Sequence, residues 1–225
     1  MPESPREPRG RVLALFDLDG TITRRDTLLP YLAGFLLRHP QRLLRLPRVL
    51  PALWHFASAG RDRGELKAAI MRAILGGIGR AQLEAWTARF VARLLAHGLH
   101  ADARDAIERH RRQGDVLALL SASPDLYVPA IGSALGFAEV MCTGVRWRGE
   151  HFLGDLATVN RRGAEKVRCL AELRRRYPKL PVTAYGNSAA DLEHLALAEQ
   201  GVLVNGTRTA RRAAARAGVK CEAWR

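Results

Sequence analysis

An apolar run, Val12-Leu13-Ala14-Leu15-Phe16, leads directly into Asp17-Leu18-Asp19-Gly20-Thr21. A short apolar run closed by a glycine turn predicts a buried strand, and its carboxyl end delivers Asp17. Two carboxylates one residue apart need a cation, a proton or hydrogen-bond donors there, because unpaired buried charge is costly. A magnesium ion is the simplest answer. The bland alternative is an Asp-rich turn without chemistry, and the rest of the chain separates the two readings.

Downstream of residue 27 the pattern changes to helix. Residues 28–37 are nearly continuously apolar and stop at His39-Pro40, where the residue before proline is pushed out of the helical region. Residues 41–56 carry Leu43, Leu44, Leu46, Val49, Leu50, Leu53 and Trp54 on a helical period, with Arg42, Arg45 and Arg48 between them and kinks expected at Pro47 and Pro51. This stripe is expected to be buried against neighbouring helices. Residues 65–75, 80–97 and 101–113 predict three more amphipathic helices.

Strand signals return at 115–121, a buried run ending in Ser121. Ser123-Pro124 then reads as an N-cap and first helical residue, opening a helix to 135. Residues 139–143 and 145–153 predict short strands around Gly144 and Arg148-Gly149, with a hairpin as an option. A helix over 165–177 follows, then a core strand over 181–185 ending at Gly186-Asn187-Ser188, a helix over 191–198, a core strand over 201–205 and a closing basic helix over 207–217. Strands alternating with helices predict an α/β fold with a parallel sheet covered on both faces, in which ligands bind at the carboxyl ends of strands. Asp17, Ser121 and Gly186-Asn187 all stand at such ends.

The 225 residues allow one core domain with an insertion, and 48% hydrophobic with 26% charged residues is ordinary for a globular chain. The net charge of +14 favours anionic partners, although no long Lys/Arg run makes a compact basic patch. Cys142, Cys169 and Cys221 show no metal or disulfide spacing and suit reduced thiols in the cytoplasm. Residues 1–10 are polar and Pro-rich, a disordered tail rather than a signal peptide, and no apolar run reaches membrane-spanning length. His39, His97 and His110 read as solvated helix-end residues.

Four motifs in order, Asp17-Leu18-Asp19-Gly20-Thr21, Ser121, Lys166 and Gly186-Asn187-Ser188-Ala189-Ala190-Asp191, resemble the haloacid dehalogenase superfamily. The resemblance points to subfamily IB, with phosphoserine phosphatase-like and phosphatidylglycerophosphatase C-like hydrolases. It implies a Rossmann-like core (11–22 and 99–225) with an inserted all-helical cap of the C1 type (23–98). It also implies magnesium-dependent hydrolysis of a phosphomonoester through an aspartyl-phosphate. Asp17 would be nucleophile and metal ligand, and Asp19 the acid and base, meeting the metal through its backbone carbonyl. Lys166 would offset charge, and Ser121, the amide of Ala122 and Thr21 would serve the phosphate. Asn187 and Asp191 would complete the metal site. Asn187 departs from the acid usual at that position: its carbonyl oxygen is still a hard ligand, but one negative charge is lost.

Arg24, Arg25 and Asp26 follow the nucleophile loop. Asp26 stands where phosphoserine phosphatases place an acid that reads the substrate amine, although by spacing alone a surface hinge residue is the simpler reading. Expected partners are a small phosphorylated metabolite or a phospholipid headgroup, with peripheral contact to an anionic membrane as an option and no nucleic acid. The competing function is a catalytically weakened member of the fold acting as a basic binding module for anionic lipid or nucleic acid.

Overall fold

The computed structural model describes residues 10–60 and 62–225, so most of the expected 1–10 tail lies outside the described residues. The apolar run forms strand β1 (Leu13–Phe16), all four residues buried. Leu13 and Leu15 face one apolar cluster and Ala14 and Phe16 the other, as the two-residue period of a doubly covered parallel strand requires. Around it run β2 (Val116–Pro124), β3 (Glu139–Thr143), β6 (Val182–Gly186), β7 (Gln200–Val204) and β8 (Lys220–Glu222) in the order β3-β2-β1-β6-β7-β8, every pairing parallel. The chain is an α/β protein with a parallel sheet. Phe16 aligns with Leu119 on one side and Tyr185 on the other, so β1 lies where the winding direction reverses. There the carboxyl ends of three strands converge.

Between β1 and β2 the chain builds α1 (Leu28–Arg38), a 3-10 stretch (Pro40–Val49), α2 (Leu50–His55), a π turn (Phe56–Gly60), α3 (Arg63–Leu75), α4 (Arg80–His97) and α5 (Ala101–Arg112). Exit from and return to the core run side by side. Thr23 bridges Leu99 antiparallel, Arg24 N donates to Gly98 O at 2.8 Å, and His100 N donates to Ile22 O at 3.0 Å. After β2 come α6 (Val128–Ala134), the antiparallel hairpin of β4 (Val145–Arg148) and β5 (His151–Leu156), α7 (Ala164–Arg176), α8 (Leu192–Ala196) and α9 (Arg208–Arg216). The hairpin packs on α3 through Gly154, whose φ is +91° and whose missing Cβ would stand 2.4 Å from Arg72 Cα.

Four sequence expectations change. Ser123 and Pro124 belong to β2, and α6 begins at Val128, because the Ser123 hydroxyl donates to Asp19 instead of capping a helix. The chain continues past its basic helix into β8, a short polar edge strand. Residues 41–56 form a 3-10 stretch and a short α-helix, and much of their apolar stripe is exposed rather than buried. His110 is not solvated: it is 1% exposed, with Nδ1 2.6 Å from Asp115 Oδ2 and Nε2 3.0 Å from the Tyr185 hydroxyl.

Candidate active site

The sheet brings three separate sequence segments to one point. Asp17, just past β1, is 6% exposed; its Oδ1 accepts from Lys166 Nζ at 2.6 Å and its Oδ2 from Thr21 Oγ1 at 3.0 Å. Lys166 sits in the first turn of α7 and is buried, and the same ammonium donates at 2.6 Å to Asp191 Oδ1. Asp191 Oδ2 accepts from Ser188 N at 2.9 Å, Ser188 Oγ at 2.6 Å and Asn187 N at 3.3 Å, which closes the turn after β6. One ammonium therefore faces two carboxylates.

Their titration follows from that geometry. Burial pushes Asp17 up to about 7; the Lys166 charge opposes this, while Asp191 and Asp19 reinforce it. Burial also works against charge on Asp191, but Lys166 and the Ser188 hydrogen bond outweigh it and hold Asp191 at about 2. For Lys166 burial is again adverse and the two carboxylates prevail, keeping it raised and charged.

Asp19 is held apart from this trio. Its Oδ1 accepts from Thr27 N at 2.7 Å and Thr27 Oγ1 at 2.6 Å, and its Oδ2 accepts from Ser123 Oγ at 2.6 Å. Burial raises its pKa, with the Ser123 and Thr27 hydrogen bonds pulling the other way. Thr27 opens α1 and Ser123 ends β2, so the segment leading to the cap and the core strand orient this carboxylate together. Gly20, with φ +80°, directly follows the second acid, and a Cβ there would fall 2.0 Å from Asn187 Nδ2. The Asn187 amide thus occupies the space that glycine leaves.

These groups line a cavity of about 710 Å³ between core and cap. Asp17, Asp19, Ala122, Lys166, Asn187 and Asp191 are in its wall, as are Arg24, Arg25 and Asp26. Asp26 also accepts from Leu29 N at 3.1 Å, serving the first turn of α1. Thr21 and Ser121 are fully buried beneath the wall: Thr21 braces Asp17, while Ser121 Oγ accepts from Ser123 N at 3.0 Å and approaches Asp19 Oδ2 at 3.5 Å. The carboxylates of Asp19 and Asp191 are both engaged, that of Asp19 by Thr27 and Ser123 and that of Asp191 by Lys166 and the Ser188 turn.

Sequence reasoning missed several wall residues. Lys67 of α3 reaches across from the cap, donating to Ala122 O at 2.6 Å and Asn160 Oδ1 at 2.7 Å. Burial lowers it to about 8, Asp19 and Asp26 oppose that, and Arg162 adds to it. Arg63, Asn160 and Arg162 line the same space, and Leu28, Leu66 and Ile70 give it an apolar side. A lysine among Arg63 and Glu65 reads as a solvated helix residue, so no local signal marked it. Ser123 was visible only as a helix cap.

The model of the haloacid dehalogenase-like hydrolase family matches residues 14–196. Protein CicA of Caulobacter vibrioides is 34% identical over 194 residues, covering 84% of each chain. A Mycobacterium tuberculosis protein named as a probable phosphatase is 28% identical over 228 residues, covering 95% of this chain and 76% of that one. Among solved structures, a substrate-bound phosphoserine phosphatase superposes with a TM-score of 0.66 at 15% identity, covering 95% of this chain and 93% of that one.

Proposed function

The chain belongs to the haloacid dehalogenase-like hydrolase family, and from that membership and the geometry of its cavity we propose that it is a phosphatase cleaving a phosphomonoester through an aspartyl-phosphate on Asp17. The observation that carries this reading is the separation of tasks between the two acids. Asp17 is braced by Lys166 and Thr21 with its carboxylate at the cavity wall, whereas Asp19, two residues on, is oriented by Thr27 and Ser123, with burial raising its pKa.

Asp17 attacks phosphorus, forming a carboxylate–phosphorus bond while the bond to the leaving oxygen breaks. Asp19 gives its proton to that oxygen and then takes one from the water that attacks phosphorus, which returns Asp17 and releases inorganic phosphate. Lys166 stays charged throughout and offsets the charge that gathers on the phosphoryl oxygens. The amide of Ala122, a residue of the cavity wall, would serve those oxygens, while the Ser123 hydroxyl keeps Asp19 oriented. Arg24, Arg25, Arg63, Lys67 and Arg162 give the rest of the cavity a positive lining suited to an anionic substrate.

The donors suit magnesium. Asp17, the Asp19 carbonyl and the Asn187 side-chain oxygen are hard oxygen ligands, and the glycine at position 20 leaves the space that the Asn187 amide fills. Asp17 and Asp191 together outnumber their single ammonium, so a divalent cation meets an unbalanced negative charge. Among the described residues no three His, Cys, Asp or Glu side chains converge as a ligand set, and Asn187 stands where the family's acid would add a charge. When bound, Mg²⁺ supplies positive charge to the phosphoryl oxygens and to Asp17.

The test is phosphate release from an aryl phosphate with and without Mg²⁺, beside Asp17→Asn and Asp19→Asn. Metal-dependent turnover is expected, lost in Asp17→Asn. Asp19→Asn should retain a slow burst in which the phosphoryl group is trapped on Asp17. Equal activity in wild type and Asp17→Asn sinks the proposal. The weakened binding-module alternative gains nothing from the site, because Asp17, Asp19 and Lys166 are all assembled.

A further inference from the structure

Seven of the nine exposed large apolar side chains among the described residues fall between residues 29 and 54, on the cap. Their placement is regular. In a 3-10 helix residues three apart eclipse, so Leu44, Pro47 and Leu50 form one row. Leu44 is 84% and Leu50 64% exposed. The opposite side holds the segment down: Val49 is buried, Leu46 packs on the core cluster, and Arg42 Nη1 and Arg45 Nη1 both donate to Gly76 O, at 2.7 and 3.0 Å. In α2 the spacing of three and four residues extends the exposed row from Leu50 to Leu53 and to Trp54, which is 77% exposed. Helix α2 has no buried residue at all. A six-residue helix of this kind draws little stability from its own contacts and leaves an apolar ridge without a partner.

Charge identifies the partner. Residues 28–60 contain Arg38, Arg42, Arg45 and Arg48 and no acidic residue. None of these four arginines is in an ion pair among the described residues; those with assigned donors serve neutral carbonyls, Arg38 that of Gly34 and Arg42 and Arg45 that of Gly76. A second copy seated on the ridge would bring arginines against arginines, with no acidic residue in the segment to pair them. An anionic lipid surface supplies the opposite charge and an apolar phase into which Leu and Trp side chains insert without needing a shaped groove. No helix among the described residues is long and apolar enough to cross a membrane, so the contact is peripheral.

We infer that the ridge Leu44–Pro47–Leu50–Leu53–Trp54, with its arginines, docks this protein on the surface of an anionic lipid bilayer. The ridge runs on into Phe56, which lines the candidate active-site cavity, so docking brings the cavity mouth towards the bilayer. The inference rests on the cap surface alone and stands whether or not Asp17 is a nucleophile.

Flotation with vesicles of phosphatidylcholine alone, and of phosphatidylcholine with an equal part of phosphatidylglycerol, tests it. Wild type is expected to float with the anionic vesicles, more weakly at high salt, and about tenfold less with the neutral ones. The triple variant Leu44→Ser, Leu50→Ser, Trp54→Ser should bind anionic vesicles about tenfold or more weakly, because its insertion row is gone. Its unfolding midpoint and its rate on a soluble aryl phosphate should match wild type, since all three side chains stand in solvent. The blue shift of tryptophan emission on anionic vesicles should disappear in Trp54→Phe. Absence of binding to anionic vesicles, or equal binding by the triple variant, overturns the inference. So does self-association that the triple variant abolishes while neither protein floats, which would give the ridge to a second copy.

Discussion

Replacing Lys67 by Met separates a strut from a substrate contact. The ammonium donates to two neutral oxygens, Ala122 O and Asn160 Oδ1, across the gap between cap and core. Holding it charged is costly: burial first, and then Arg162, take its pKa from 10.5 to about 8 against the pull of Asp19 and Asp26. A drop of that size corresponds to about 3 kcal/mol of penalty on the charged form. The two hydrogen bonds return about 1.5–3 kcal/mol each. The opposing contributions nearly cancel, and Met keeps the packing of the aliphatic stem. Lys67→Met is therefore expected to lie within about 2 kcal/mol of wild type in urea unfolding at pH 7.

Catalysis should respond differently to that substitution. A charge-assisted contact to a phosphomonoester contributes about 2–3 kcal/mol, so kcat/KM should fall about 30- to 160-fold, and Lys67→Arg should restore part of it. The pH dependence has a definite sign. Between about 8 and 10.5 the unfolded chain holds a proton on Lys67 that the folded protein has lost, so stability contributed by this group rises with pH across that window. The Met variant lacks that rise. Over the same range wild-type kcat/KM should decline as the ammonium disappears from about pH 8 upward. If Lys67→Met costs well over 3 kcal/mol of stability and leaves kcat/KM intact, Lys67 is a strut and the reasoning fails.

Further outcomes follow from the same geometry. Lys166→Met leaves two buried carboxylates without their shared ammonium and should cost about 3–5 kcal/mol in urea unfolding at pH 7.5. That deficit should shrink towards pH 5 as one carboxyl takes up a proton, and a loss under about 1 kcal/mol would contradict the bridging role. Asn187→Asp should lower the Mg²⁺ concentration for half-maximal activity. Gly20→Ala should raise it, because the new Cβ displaces the Asn187 amide, and should cost about 1 kcal/mol for the left-handed backbone. Unchanged Mg²⁺ dependence in both would remove Asn187 from the metal site. Gly154→Ala combines a φ of +91° with a collision against the Arg72 backbone, so a thermal or urea measurement should show a loss above about 2 kcal/mol. A neutral result would mean that the hairpin moves freely on α3.

The parts of this molecule that were legible in the sequence are those in which local pattern and tertiary role agree. β1 and β2 are continuous apolar runs because both faces of the sheet are covered, and Asp17 and Asn187 sit beside glycine turns at strand ends while Lys166 sits at a helix start. Where a side chain answers to a distant segment, the local pattern misleads. Ser123-Pro124 has the form of a helix start, yet the Asp19 carboxylate takes the hydroxyl. His110 sits near the end of a basic helix but is drawn inward by Asp115 and Tyr185. β8 is too short and polar to announce itself, since edge strands carry charge. Lys67 is chosen by the gap it spans. The stripe over residues 41–56 shows an apolar period without saying which side of the cap will cover it.

The paired backbone at Ile22–Arg24 and Gly98–His100 carries a consequence for how the molecule assembles. β1 and β2 are neighbours in the sheet although Val12 N and Asp115 Oδ1, which bond at 2.8 Å, are 103 positions apart in sequence. To the sheet, the intervening helices are one closed loop whose ends already touch. Closure entropy grows only as the logarithm of loop length, so lengthening or shortening the insertion shifts that cost by about 0.6 kcal/mol per doubling. A large change in the loop therefore leaves the core nearly as easy to close. The insertion can be rebuilt over evolutionary time, ridge and cavity wall included, while the strand end that holds Asp17 and Asp19 and the α7 turn that holds Lys166 stay in place.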